Sequence, residues 1–232
     1  MIVPLGSTIA GVRRRIHILT ASNAALAIPT WAQGGKGLML VTGTGGGGGG
    51  GNDGAFSGSD GGSGAMAFNH PIPIPSGITT ANIAIGAGGT AATSGNSGGT
   101  GGACSITLGS VVPLLLGGGS GGPSSNSPGT GGTPQVYGAN FLVNAGSDTT
   151  GVTTLNMAAA FQTLARGIHG YASANLQPYG MNARMATPFG GASNGATPGS
   201  GYGYGGKGTS SGGGAAYAGG PGMLIIEFVE GY

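Results

Sequence analysis

Glycine falls on every third position over long stretches of this sequence. Between residues 86 and 101, positions 86, 89, 92, 95, 98 and 101 hold five glycines and one alanine, while the ten positions between them hold only two glycines. From 43 to 64 the same spacing holds glycine except at Asn52 and Ala55, in a stretch that includes seven consecutive glycines, Gly45–Gly51. A repeat of three matches the polyproline-II helix, with ~3 residues per turn, a rise of ~3.1 Å and no internal hydrogen bonds. Its N–H and C=O groups point outward and need partners. Glycine along one edge lets a neighbouring helix approach closely enough to supply them, the steric reason collagen keeps glycine at every third residue. Ordering glycine is entropically costly, so such helices are expected only as a packed group.

Disorder is the competing expectation. Of 232 residues 58 are glycine and 13 proline, a share that ordinarily marks low complexity. Disordered chains, however, carry many charges and few apolar residues. Here charged residues make up only 5%, and mean hydropathy is positive. Lysine and glutamate number two each. A chain so poor in charge would aggregate if it stayed unfolded, so its glycines are expected to be packed rather than solvated.

Seven basic and five acidic residues give a net charge of +2, too few and too scattered for the clustered basic face that nucleic acid requires. The one basic cluster, Arg13-Arg14-Arg15, reads as a local contact to a partner or to the chain's own carbonyls. A single cysteine, Cys104, excludes an intrachain disulfide framework and fits folding in a reducing cytosol; its expected role is a small buried apolar residue. No apolar stretch approaches the ~20 residues of a membrane span, so no membrane insertion is expected. Arg13–Arg15 followed by Ala25-Leu26-Ala27 imitates a signal peptide, but His17, Thr20, Ser22 and Asn23 interrupt its apolar core.

Short segments of ordinary composition separate the glycine tracts. Ile16–Thr20 alternates as a strand does, and Gly37–Thr42 is a compact apolar strand expected to be buried on both sides. Ala81–Ile85 and Met223–Val229 also read as strands. Ser110–Leu116 is apolar, but Pro113 argues for an edge or a turn. Leu155–Arg166 has roughly helical spacing, with Thr154 before it and Gly167 after it as caps.

Chemistry-bearing motifs are absent. Around Gln33–Gly37 a phosphate loop would need Gly-Lys-Ser/Thr and an earlier glycine, whereas Gly37 follows the lysine and Thr30 occupies the earlier position. Asp53, Asp60, Asp148, Glu227 and Glu230 show no spacing that nominates a carboxylate pair or a triad. Asp53 and Asp60 sit in glycine loops, where aspartate is an ordinary turn residue. His17, His70 and His169 belong to no metal-binding motif. The chain is therefore expected to be no enzyme and to need no cofactor or metal. Aromatic residues are more suggestive: Tyr137, Phe141, Tyr171, Tyr179, Phe189, Tyr202 and Tyr204 gather in 136–204 with His169 and Arg184 among them. A glycine bundle has little room for large rings, so these residues serve recognition on loops, subunit contact, or a local core with the 155–166 helix.

The order of segments adds a resemblance. Leu40-Val41-Thr42-Gly43 runs into Gly51; Ile83-Ala84-Ile85-Gly86-Ala87-Gly88-Gly89 follows; Gly219-Gly220-Pro221-Gly222-Met223-Leu224-Ile225-Ile226-Glu227 closes the chain. These three landmarks resemble the glycine-rich domain of bacteriophage tail-fibre and tail-tip adhesins, over residues 38–122 and 190–232. The resemblance implies a bundle of polyglycine-II helices flanked by a few short strands, mainly irregular and β, with at most one short helix around 155–166. The glycine-rich core is then 38–122 and 190–232, and two stretches depart from the pattern: residues 123–189, longer and less glycine-rich, read as an inserted loop or tip, and residues 1–37, outside it, read as a virion-anchoring segment. The resemblance also implies a virion protein assembled in the host cytoplasm, a trimer, with other tail proteins and a host cell-surface receptor as partners. The receptor-contact candidates are then Tyr137, Phe141, His169, Tyr171, Tyr179, Arg184, Phe189, Tyr202 and Tyr204, and the anchor candidates are Arg13, Arg14, Arg15 and Trp31. A non-adhesive virion component (head fibre, collar or baseplate decoration) is the alternative. A cellular ice-binding or wall protein fits less well, because its face would need strict threonine-bearing repeats.

Overall fold

Alternating apolar and polar residues set most of the regular structure. The computed structural model describes residues 13–54, 58–124, 134–136, 143–144, 190–191, 200–209 and 214–230. The helix expected over 155–166 lies outside these residues. The described residues form twelve strands: β1 (Arg14–Leu19), β2 (Asn23–Ala27), β3 (Gly37–Thr44), β4 (Met66–Pro73), β5 (Thr80–Ala84), β6 (Cys104–Leu108), β7 (Val111–Leu116), β8 (Pro134–Val136), β9 (Val143–Asn144), β10 (Gly190–Gly191), β11 (Ser200–Gly201) and β12 (Met223–Glu230). Among the described residues the only helix is one 3₁₀ turn, Thr30–Ala32. The protein is mainly β.

The strands form two five-stranded antiparallel sheets, β1-β12-β3-β4-β9 and β2-β5-β6-β7-β8, and a separate β10-β11 pair. β12 lies between β1 and β3, with Ile226 opposite both His17 and Val41. The sheets share one core: Met39, Val41, Ile72, Leu224, Ile226 and Phe228 from the first, with Leu26, Ala81, Ile83, Ile106, Leu114 and Leu116 from the second. Period-2 burial, as in the pattern eBeBe of β5, is what a sheet with one buried face requires. In β3, Met39 and Val41 are buried while Leu38 and Leu40 are half-buried. The turn at Thr30–Ala32 sets Ala32 in the core and packs Trp31 against its rim.

Pro113 corrects one expectation. The sequence places an edge or a turn there, but β7 runs through its sheet between β6 and β8. The physical reason is a bulge: the register with β6 shifts between Ile106 and Leu108, and the pairing with β8 begins only at Leu114. Pro113 falls in the gap, where its missing N–H costs no ladder bond.

On one side of the sandwich the strands run on into glycine. β3 leads out into 45–51, which returns through 58–65 to β4; β5 leads out into 85–92, which returns through 97–103 to β6; β7 leads out into 117–124; and 203–209 leads out, returning through 214–222 to β12. The central segment, 45–51, bonds in a cycle of three. Gly45, Gly48 and Gly51 donate to Ala65, Gly62 and Ser59; Gly46 and Gly49 donate to Gly102 and Gly99; Gly47 and Gly50 donate to Gly220 and Tyr217, all at 2.8–2.9 Å. Its carbonyls accept in the same rotation, from Gly119 and Gly122, from Gly89 and Ala92, and from Gly206 and Thr209, at 2.7–3.0 Å.

The surrounding segments also bond to one another. Gly61 donates to Gly206, Gly220 to Tyr204, Gly219 to Gly89, Gly99 to Thr90, Gly101 to Gly119 and Gly62 to Ser120, at 2.8–3.0 Å. Six segments thus close a ring around the seventh. A Cβ has no place at the centre: at Gly46, Gly47, Gly48, Gly49, Gly50 and Gly51 it would meet the carbonyl oxygens of Ala87, Tyr204, Ser120, Thr90, Lys207 and Pro123, well inside van der Waals contact.

Where β3 leaves the sandwich, its pairing with β4 shifts between Val41 and Gly43. Asn69 occupies this bulge at φ 44°, the one non-glycine with positive φ among the described residues. Asparagine tolerates that conformation better than most residues. It is tied down twice: its N–H donates to Thr42 Oγ1 at 2.9 Å, and that hydroxyl donates to Asn69 Oδ1 at 3.2 Å.

Gly49→Ala places a methyl group against the Thr90 carbonyl at the centre of the ring. We expect a loss of at least about 3 kcal/mol in urea unfolding, at or above the upper end for overpacked sites. Ala103→Ser, at an exposed position of the same bundle, is expected to stay within about 0.5 kcal/mol.

Candidate functional site

The connections beyond Gly51 gather at the end of the bundle remote from the sandwich. Asn52 N–H donates to the Asn96 carbonyl at 2.9 Å, which ties the first glycine hairpin to the turn of the second. In the first loop, Asn52 Oδ1 accepts from Gly54 N–H at 2.8 Å. In the second, the Asn96 amide donates to Thr93 Oγ1 at 3.1 Å and to the Ser94 carbonyl at 3.0 Å. Asparagine and serine close such turns through their own side chains. Nearby, Asp60 Oδ1 accepts from Gly208 N–H at 2.9 Å, and Thr209 Oγ1 accepts from Gly58 N–H at 2.8 Å. Thr93, Ser94, Gly95, Asn96 and Ser97 are exposed, and Asn52, Asp53 and Lys207 are half-exposed. This end presents hydroxyls, amides and a few charges on loops whose bases are fixed by the ring.

The aromatic candidates distribute otherwise. Tyr137, Phe141, His169, Tyr171, Tyr179, Arg184 and Phe189 lie outside the described residues. Tyr202 is half-buried beside β11. Tyr204 is 8% exposed, and a Cβ on Gly220 would run into its ring. Its ring packs inside the bundle, and the same desolvation raises its phenol pKa. Large rings are therefore not confined to loops: one fits where a facing glycine leaves space.

The anchor candidates lie in the sandwich. Arg14 Nε sits 2.6 Å from Glu227 Oε1, and Arg13 Nε sits 3.9 Å from Glu230 Oε2. The pairs tie β1 and the residue ahead of it to β12. Arg15 is exposed, and Trp31 is half-buried against the core. Residues 14–37 supply two strands and the 3₁₀ turn to the same sandwich as the later strands.

The remaining reactive groups do not converge. His17 and His70 share an inner row through Ile226 and Val41, three strand spacings or roughly 14 Å apart. Among the described residues no group of three or more histidines, cysteines or acids comes together. None of the described helices is long and apolar enough to cross a membrane. Cys104 is buried at the foot of the bundle, where Gly86 N–H donates to its sulfur at 3.2 Å.

A β sandwich that continues into a glycine ring with loops at its far end is the architecture of a glycine-rich scaffold. The chain belongs to the glycine-rich domain family, whose model matches residues 20–229. The match starts ahead of residue 38 and runs through 123–189, so it reaches beyond the stretches that carry the three landmarks. No curated protein matches the chain.

In the sequence Asp53 reads as an ordinary turn residue, and Asn52, Thr93 and Asn96 carry no motif that sets them apart. A signal was available. The every-third glycine register breaks at Asn52 in the first tract, just past the central segment, and at Ala92 in the second, one residue ahead of the exposed turn at 93–97.

Burial pushes the Cys104 thiol up to about 11, against a smaller opposing effect of the Gly86 N–H. At pH 8 the native protein is expected to react with a disulfide reagent at least about 100-fold more slowly than the urea-unfolded chain, because almost no accessible thiolate exists. Absorbance of the released thiol measures both rates.

Proposed function

We propose that this protein is a structural component of a bacteriophage tail fibre or tail tip, in which a bundle of polyglycine-II helices carries host-receptor-contacting loops. The observation that carries the reading is the ring of six segments around 45–51, with connecting loops at its far end. Bonding partners that recur every third residue are what helices with three residues per turn require. Seven residues at ~3.1 Å each make a shaft of roughly 20 Å. Such a shaft holds loop bases at fixed separations, so loops bind without first losing freedom at their ends. Polar loops on a rigid scaffold are a general design for recognition. The resemblance to tail adhesins supplies the setting: a trimer in the virion, attached to other tail proteins and facing a host cell-surface receptor.

A second reading, a non-adhesive virion component, draws on the sandwich. Ile18 is 60% exposed, Val111 47% and Val112 41%. Exposed apolar residues in both sheets suit packing between copies or against other virion proteins.

Replacing residues 52–54 and 93–97 by glycine-serine loops of equal length separates the readings. Adsorption of particles carrying the variant is expected to fall at least about tenfold, with particle yield unchanged. Unchanged adsorption would remove these loops from receptor contact, and density for the chain in a capsid or collar would establish the second reading.

A further inference from the structure

His17 is a titratable group with no part in the glycine ring or its loops. It lies on the inner face of β1, 5% exposed, with Leu19 beside it on the same face. Its ring meets Phe228 edge-on, with centroids 5.8 Å apart and planes at 86°. Neither ring nitrogen has a hydrogen-bond partner among the described residues. A neutral imidazole tolerates such a site at modest cost, whereas an imidazolium there would be a buried charge without a counter-charge.

The groups around it offer no compensation. On its own strand Arg14 and Arg15 are cations, and Arg13 is a third just ahead of it. On β12 the acids are Glu227 and Glu230, which pair with Arg14 and Arg13. β2 and the turn at Thr30–Ala32 carry no ionisable side chain, and Lys36 follows that turn. Burial first, and the positive charge of Arg15 second, lower the pKa of His17 from the ordinary ~6.5.

β1 is also placed where it can yield. Among the described residues it is an edge strand, with β12 as its one neighbour in the sheet. We infer that β1 is an acid-released latch: protonation of His17 detaches Arg14–Leu19 from β12 while the rest of the sandwich and the glycine ring stay folded. The direction follows from proton linkage. The released strand takes up its proton near pH 6.5 and the docked strand only at lower pH, so the docked state is fully favoured above ~6.5 and loses ground as pH falls below it. Release would uncover Phe228 and the edge of β12.

Hydrogen exchange of the full chain at pH 7.5 and 5.0, corrected for intrinsic exchange rates, tests the inference. Protection across 14–19 is expected to fall at least about tenfold at pH 5.0, equivalent to about 1.4 kcal/mol in the opening equilibrium, while 37–44 and 45–51 keep theirs. His17→Phe retains the edge-on aromatic contact and the Arg14–Glu227 pair, and should remove the response. His70→Phe should keep it. Equal protection of β1 at both pH values, a response that survives in His17→Phe, or simultaneous loss in every strand would overturn the proposal. Should His17→Phe fail to fold, an NMR titration of wild-type His17 decides: a ring midpoint below ~6.5, with cross-strand signals between β1 and β12 disappearing over the same range, supports the latch. A midpoint at or above that value, or cross-strand signals that persist throughout, would refute it.

Discussion

The structure depends on main-chain amides bonding to carbonyls of segments distant in sequence, at separations that only glycine permits. In an ordinary domain a strand bonds to two neighbours in a plane, and side chains fill the space between sheets. Along 45–51 each successive residue turns to a different neighbour, so the bonds radiate around the segment and no layer is left for side chains. Each bond contributes about 1 kcal/mol net, and the entropy of ordering glycine opposes it. Such an arrangement holds only when many bonds form together, which the closed ring provides.

The sandwich makes that cooperation possible. Its apolar core, centred on residues such as Phe228, Ile226, Ile83 and Leu114, positions strand ends so that the glycine segments leave at set places. The bulge at Asn69 shows the two packings meeting: β4 takes up an extra residue where β3 passes from a flat ladder to radial bonding, and the Thr42 hydroxyl satisfies groups that the shifted register leaves over. A core of side chains and a core of backbone bonds are thus joined along continuous chain segments, with no linker between them.

Much of this was legible in the sequence, for identifiable reasons. The strands at 14–19, 37–44, 80–84 and 223–230 announce themselves through period-2 alternation or compact apolar runs, and glycine at every third residue anticipates the three-way bonding. Pro113 misled because a bulge is set by the register of a partner strand, which no local pattern encodes. Tyr204 was harder still: it sits inside the bundle because Gly220, distant along the tract, faces it. The loop residues were hidden for another reason. Asparagine, serine and threonine among glycines look like ordinary turn chemistry, and the hydrogen bond from Asn52 to Asn96 that brings two turns together is a long-range contact.

The order of segments along the chain has a consequence for biosynthesis. The innermost segment, 45–51, leaves the ribosome before every one of its six neighbours, and the ring closes only when 203–222 has emerged. Until then a nascent chain holds a run of bare amides for which water is the main partner. Assembly of the bundle is therefore delayed until its last segments are made and is governed by contacts of long sequence separation, the regime in which folding is slow. Slow closure in a chain so poor in charge places a premium on holding the unfinished polypeptide apart from its copies until the last segments arrive.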